Sequence, residues 1–242
     1  AGWVHRIRNL GGVSFVILRD RSGLIQVVYD TAPDLVNETV IRVTGTVTEN
    51  EKAEGGYEIR AQETDVLGHA DTDLPIAVNQ DPAKMGIDAL LDNRIVTLRN
   101  PKIRHIFELQ ASIVHYFAEW LRKNGFTEIK SSKIIGSGTE GGTGLFSVDY
   151  FGERVYLAQS PQFYKQAMVA SGLERVFEIG AAYRAEKHDT PRHLNEYVSL
   201  DVEIGFIESE SDLMDLEGDL LDYVFSAVAR DHSAILREYE TE

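Results

Sequence analysis

The sequence predicts an α+β protein, an N-terminal OB-fold β-barrel followed by an antiparallel sheet flanked by helices. Three observations carry this. Five short runs rich in Val, Ile and aromatic residues fall within residues 1–69. A period of two over Val176–Phe206 marks a pair of antiparallel strands. Two later stretches, one after Asn100 and one after Ser211, keep the 3.6-residue apolar period of helices.

The barrel runs are Gly2–Arg8, Ser14–Asp20, Leu24–Tyr29, Thr39–Thr48 and Tyr57–Ala61, with Arg21-Ser22-Gly23 as a hairpin turn. In OB barrels the second and third strands commonly face oligonucleotides. Trp3 is expected in the barrel core. Residues 70–99 hold Pro75 and Pro82, scattered acids and no sustained period, and predict a linker. Residues 100–242 form the second domain. Asn100-Pro101 gives a helix start, Ile103, Ile106, Phe107, Ile113, Val114, Phe117 and Leu121 its apolar stripe, and Asn124-Gly125 its stop. Strands are predicted over Phe126–Lys130 and Arg154–Ala158, with Ser160-Pro161 opening a helix to about Ala170. The final helix carries Leu213, Leu216, Leu220, Val224 and Val228 on one face, and its acidic first turn suits the helix dipole.

The strand pair is the centre of the pattern. Leu194, Val198, Leu200, Val202, Ile204 and Phe206 share an expected core face, and Ser199, Asp201 and Glu203 the wet one. Phe177, Ile179, Ala181 and Tyr183 likewise alternate with Glu178, Arg184 and Glu186. Arg184 and Glu186 are expected side by side on the exposed face, below a polar tip, Lys187–His193, able to reach a polyanion.

Composition excludes several classes. With no cysteine, a disulfide framework, a Cys-based zinc site and a thiol nucleophile are ruled out. No apolar run approaches the ~20 residues of a membrane span, and a cytoplasmic protein is expected. The net charge of −15 argues against nucleic acid, but Ala1–Val28 holds Arg6, Arg8, Arg19 and Arg21 against the single acid Asp20. His69, His105, His115 and His232 form no ligand spacing.

Several motifs carry a resemblance. Arg184-Ala185-Glu186 followed by Arg192-His193-Leu194-Asn195-Glu196 resembles motif 2 of class II aminoacyl-tRNA synthetases. The helix before Gly125–Ile129 resembles motif 1, the dimer-forming element. Thr139-Glu140-Gly141-Gly142 resembles a flipping loop, and Gln159–Lys165 an amino-acid-binding signature. Gly2-Trp3-Val4 and Arg19–Gly23 resemble the anticodon-binding barrel of the aspartyl group, archaeal and eukaryotic type. The second domain is then the first half of a class II catalytic domain.

That resemblance implies an aspartate–tRNA ligase that forms aspartyl-adenylate from ATP and passes the aspartyl group to tRNA(Asp), with tRNA(Asn) left open as a second acceptor. The amino acid is itself the nucleophile, so catalysis is mostly positioning and charge neutralisation. Arg184 is the expected catalytic residue, gripping carboxylate or phosphate. Glu140, Ser160, Gln162 and Lys165 join it around aspartate, and Glu186, Arg192, His193 and Leu194 around ATP. Lys165 is expected to select aspartate over asparagine by pairing with the side-chain carboxylate. Phe15, Gln26 and Glu58 are expected at the anticodon, by stacking and hydrogen bonding. A homodimer is implied. Two departures stand out. Ser131-Ser132 replaces the usual motif 1 proline, and nothing after Phe206 resembles motif 3 or its magnesium ligand. Mg2+ ligands are therefore expected outside these residues and a fragment is anticipated. An asparaginyl enzyme and a non-catalytic tRNA-binding paralogue remain open.

Overall fold

The computed structural model of the chain describes residues 1–70, 74–138, 144–188, 190 and 192–239. It divides into two compact units, Ala1–His105 and Ile106–Glu242.

The first unit holds a closed barrel of β1 (Gly2–Leu10), β2 (Val13–Asp20), β3 (Gly23–Tyr29), β4 (Val40–Glu49) and β5 (Tyr57–Gly68), in the order β1-β2-β3-β5-β4. All neighbours are antiparallel except β3 and β5. The alternation works as expected: Val4, Val16, Leu18, Val27 and Ile41 fill the interior. The β2–β3 turn is Arg21-Ser22, with the Asp20 carboxylate accepting from the Ser22 amide at 2.8 Å. At Gly45, beside a bulge in β4, a Cβ would lie 2.1 Å from the Arg60 carbonyl oxygen, so only glycine fits.

Trp3 departs from expectation. It is 36% exposed, with the Arg19 guanidinium 5.9 Å from its ring. Arg19 itself is buried and donates twice to the Glu38 carboxylate, at 3.0 and 2.8 Å. Arg99 reaches the same carboxylate at 3.2 Å. Glu38 adopts φ 70°, a left-handed conformation unfavourable for a residue with a Cβ, and its amide donates to the Val4 carbonyl. Arg19 Nη1 also lies 2.8 Å from His5 Nδ1. A guanidinium only donates, so Nδ1 is the acceptor and the ring proton sits on Nε2.

The stretch without a sustained period contains a turn at Pro82–Lys84 and two short helices, α1 (Ile87–Asp92) and α2 (Arg94–Thr97). Asn100 then caps α3 (Pro101–Lys123): its Oδ1 accepts from the Lys102 amide, and its Nδ2 donates to the carbonyls of Val78 and Gln80. Past the end of α3, Gly125 has φ 81°, which glycine supplies without strain.

In the second unit, β10 (Arg175–Tyr183) pairs antiparallel with β11 (Glu196–Ile204) and parallel with the short β6 (Thr127–Glu128). A separate sheet orders β7 (Ile134–Ile135), β9 (Glu153–Leu157) and β8 (Ser147–Tyr150) as β7-β9-β8. The remaining helices are α4 (Gln162–Met168), α5 (Glu210–Asp231) and α6 (Ser233–Tyr239). A capping box at Ser209 and Asp212 starts α5. Its Leu220, Val224 and Val228 pack with Phe117, Leu121 and Phe177 in the core.

Three expectations need correction. The strand over Phe126–Lys130 shrinks to Thr127–Glu128, because β10 offers partners only at Val176 and Phe177. The apolar face of β11 is core only near Val202 and Ile204, which pack with the helical cluster; Val198 and Leu200 are exposed along a groove of about 670 Å³ with Ile106, Leu109, Ile113 and Tyr239. Leu213 is likewise exposed. Among the described residues no helix is long and apolar enough to cross a membrane.

Glu38→Gln should cost about 3–5 kcal/mol in urea denaturation, because two arginines lose their buried carboxylate. Burial, then the Arg19 charge, lowers the His5 pKa despite the opposing Glu38. Folding therefore favours neutral His5. Stability should be full above about pH 6.5 and fall as the pH drops from there through the lowered folded value. In His5→Asn, whose Oδ1 can take the Arg19 proton, that part of the pH dependence should vanish.

Candidate functional site

The β10–β11 register sets the floor of the site. Glu178 lies opposite Asp201, Gly180 opposite Ser199 and Ala182 opposite Tyr197. By strand alternation Tyr197, Ser199, Asp201 and Glu203 share one face. Between its charged positions this face carries only small residues, Gly180, Ala182 and Ser199. A Cβ on Gly180 would come within 3.0 Å of Glu178 Oε1 and 3.1 Å of Lys133 Nζ.

Arg184 and Glu186 lie beyond the last strand pair, Tyr183↔Glu196, in the connection to β11 and not on the paired face. Asn195 spans both: its carbonyl accepts from the Arg184 amide at 2.9 Å and its Oδ1 from the Glu186 amide at 3.0 Å. Ala185, between them, bridges to Gly144. The Arg184 guanidinium sits 5.7 Å from the Tyr197 ring. Thr190 organises the tip, with its Oγ1 2.6 Å from His193 Nδ1 and 3.3 Å from the Arg192 amide that donates to it. Arg184, Glu186, Arg192, His193, Leu194 and Tyr197 together line a cleft of about 300 Å³. Two guanidinium groups beside an aromatic ring and a carboxylate suit a polyanion attached to a flat ring that bears an amino group.

A second cluster lies on the same face of β11. Lys165 projects from α4, is 5% exposed, and places Nζ 3.1 Å from Asp201 and 3.6 Å from Glu203. Gln162, three residues earlier on the same helix face, reaches Glu203 at 3.5 Å. Ser160, also buried, accepts from the Gln162 amide and fixes the start of the helix. One ammonium between two carboxylates leaves this pocket one negative charge in excess. Tyr197 and Asp201 are four residues apart, about 13 Å along a strand.

Glu178, expected on an exposed face, is 1% exposed. Its carboxylate accepts from the Ser131 amide at 3.0 Å and the Ser131 hydroxyl at 2.6 Å, and pairs with Lys133 at 3.0 Å. Burial pushes this carboxyl up, but the Ser131 and Lys133 contacts outweigh it and hold the pKa below the ordinary value. Ser132, the neighbouring serine, donates to the Ile134 carbonyl.

On the barrel, Phe15, Gln26 and Glu58 stand on the outer faces of β2, β3 and β5. Gln26 is directly opposite Glu58, and its Nε2 donates to Glu58 Oε2 at 2.9 Å. Phe15 pairs with Val28, one diagonal step from Gln26, and is half-buried on the outside of the barrel.

Glu140 and the rest of Thr139–Gly142 lie outside the described residues. Sequence reasoning missed Asp201, Glu203 and Tyr197 as partners of Lys165 and Arg184, although the wet parity of β11 singled out the two acids. It also missed Glu178 and Ser131. Among the described residues no three His, Asp or Glu side chains converge as a metal site. His232 is held by the Ser112 hydroxyl at 2.7 Å.

Comparison with known proteins bears on the family and the fold. The family described as tRNA synthetases class II (D, K and N) matches residues 86–241, and the OB-fold nucleic acid binding domain matches residues 1–67. The aspartate–tRNA(Asp/Asn) ligase of Methanopyrus kandleri is 45% identical over 255 residues, covering 100% of this chain and 58% of that protein. The enzyme of the same name from Thermus thermophilus is 49% identical over 220 residues, covering 91% and 52%. The asparaginyl-tRNA synthetase from Pyrococcus horikoshii complexed with asparaginyl-adenylate superposes with a TM-score of 0.92 at 28% identity, covering 100% of this chain and 57% of that one. The chain thus spans a little over half the length of the curated relatives it matches.

A depressed carboxyl contributes stability above its unfolded pKa and loses it as the pH falls through the folded value. Ser131→Ala, which keeps the backbone donor but removes the hydroxyl, should raise the folded Glu178 pKa. It should cost about 1–3 kcal/mol at neutral pH and move the acid-unfolding midpoint, followed by circular dichroism, to higher pH.

Proposed function

The chain belongs to the class II tRNA synthetases of the aspartate, lysine and asparagine group, and from that premise we propose that it carries the anticodon-binding barrel and the aspartate- and ATP-binding part of an aspartate–tRNA ligase. One observation carries the choice of amino acid: the buried Lys165 ammonium beside Asp201 and Glu203, on the same sheet face as the Arg184 stack on Tyr197.

In the proposed reaction an oxygen of the aspartate α-carboxylate attacks the α-phosphorus of ATP and pyrophosphate leaves. A terminal ribose hydroxyl of tRNA then attacks the activated carbonyl and AMP leaves. Neither step needs a protein nucleophile. Arg184, oriented by Tyr197 and by its backbone bond to Asn195, holds the carboxylate against the phosphate and neutralises charge developing on its oxygens. Glu186 accepts from the adenine amino group, and Arg192 and His193 hold the outer phosphates. Leu194 contributes an apolar wall.

Lys165 pairs with the substrate side chain. Asparagine offers Lys165 only a neutral amide oxygen, so the ion pair that aspartate forms is lost. The excess negative charge at Asp201 and Glu203 suits the α-ammonium of the substrate, a role that Glu140 shares. Gln162 and Ser160 fix the helix that presents Lys165. Gly180 and Ser199 leave the floor low enough for a ligand to lie across it. Magnesium ions, when bound with ATP, supply further neutralisation of the phosphates.

The relatives at 45% and 49% identity support aspartate over asparagine, and the names of both include tRNA(Asp) and tRNA(Asn) as acceptors. The proposed assembly is a cytoplasmic homodimer formed through α3, with tRNA(Asp) held at the barrel.

The test is exchange of labelled pyrophosphate into ATP driven by aspartate or by asparagine. The expected result is aspartate-dependent exchange, abolished in Arg184→Ala and reduced about 10²–10³-fold in kcat/KM by Lys165→Met. Exchange that prefers asparagine, or that ignores Lys165→Met, would overturn the aspartate assignment. Absence of any exchange alongside intact tRNA binding would favour a non-catalytic tRNA-binding protein.

A further inference from the structure

We infer that Asn50 is a positioning residue for base reading by the barrel, acting through the Glu58 carboxylate; this rests on the proposed assignment of Phe15, Gln26 and Glu58 to the anticodon. Glu58 is 8% exposed, and within the described residues both of its hydrogen bonds fall on one oxygen. Gln26 Nε2 donates to Oε2 at 2.9 Å and Asn50 Nδ2 donates to the same atom at 2.7 Å. Oε1 is left as the acceptor for a ligand.

A carboxylate only accepts, so both amides must present nitrogen to it, and their orientations are fixed. Gln26 therefore has its own oxygen left to offer. The outer face beside Phe15 accordingly combines an aromatic ring with two acceptors, a surface suited to an unpaired nucleobase whose edge donates N–H groups.

Asn50 is well anchored for this task. Its Oδ1 accepts from the Lys52 amide at 3.0 Å, its amide donates to the Gly56 carbonyl at 2.9 Å, and its carbonyl accepts from Ala53 at 2.9 Å. The turn it organises uses Gly55 and Gly56, both at φ 78°, and delivers the chain into β5 one residue before Glu58. The side chain thus bridges a fixed turn and the reading carboxylate, and together with Gln26 holds Glu58 by its Oε2.

The test is a double-mutant cycle with Asn50→Ala and Glu58→Ala. Affinity is read by fluorescence anisotropy, with the protein and a synthetic anticodon stem-loop of tRNA(Asp) sequence, and with stem-loops carrying single anticodon-base replacements. Asn50→Ala should weaken the cognate stem-loop about tenfold and shrink the penalty for one replaced base, with no further loss in the Glu58→Ala background. Asn50→Asp separates this role from holding the turn. It keeps the acceptor for Lys52 but turns an oxygen toward Glu58, so base discrimination should fall with thermal stability of the turn retained. Additive losses in the cycle, or full discrimination in Asn50→Asp, would overturn the role of Asn50 while leaving Glu58 as a reader. Unchanged discrimination in Glu58→Ala would overturn the anticodon assignment of this face, and the role of Asn50 with it.

Discussion

The register between β10 and β11 is the constraint on which the second unit depends. Pairing Gly180 with Ser199 puts Phe177 opposite Val202 on the side of α3 and α5, and Glu178 opposite Asp201 on the other. A slip of one residue would send every side chain to the wrong face. The apolar side prevents this, because Phe177 is fully buried in the helical cluster and could not be turned to water without losing roughly 2–3 kcal/mol of burial. Packing on one face therefore fixes the chemistry on the other, and the low floor at Gly180 and Ser199 is the visible product.

Charge burial follows one rule throughout. Lys165 is met by Asp201 and Glu203, Glu178 by Lys133 and Ser131, and Arg19 by Glu38. Each buried ion would be costly alone, and each is held by partners from a different element. The compensation is asymmetric at Lys165, where two acids face one base. In the barrel the opposite holds: Arg19 and Arg99 share one carboxylate, and His5 stays neutral to complete the set.

Much of this was legible in the sequence, and the limits are physical. Strand alternation identified the barrel and the hairpin, and the 3.6-residue period the two long helices, since those patterns are local. Asn100-Pro101 and Asn124-Gly125 marked the ends of α3 because capping is local too. Of the residues singled out for their resemblance to motif 2, five meet in one cleft with Tyr197. Pairings across long separations were not legible. Nothing in the sequence says that Lys165 meets Asp201, or that Ser131 donates to a glutamate 47 positions later. Parity also cannot say how far a covering helix extends, which is why Val198 and Leu200 look like core and are not. Nor can it count partners, so Phe126–Lys130 looks longer than the pairing available to it.

Closure of the barrel is uneven. The β4–β5 ladder runs from Val40↔Gly68 to Glu49↔Tyr57, whereas β1 meets β4 only at Gly2↔Ile41 and Trp3↔Val40. Backbone bonds from Val4 to Thr39 and from Glu38 to Val4 prolong that short seam, and the ion pairs of Glu38 anchor it. A cylinder comes apart where it has fewest stitches. Thermal fluctuation should therefore release β1 from β4 first, with the amide protons around Val4 and Ile41 exchanging with solvent before those in the middle of β5. A strand freed in this way bares an unpaired edge, the element through which sheet proteins join to one another. The arginine–glutamate cluster at the seam is in that sense a guard against self-association as well as a contribution to stability.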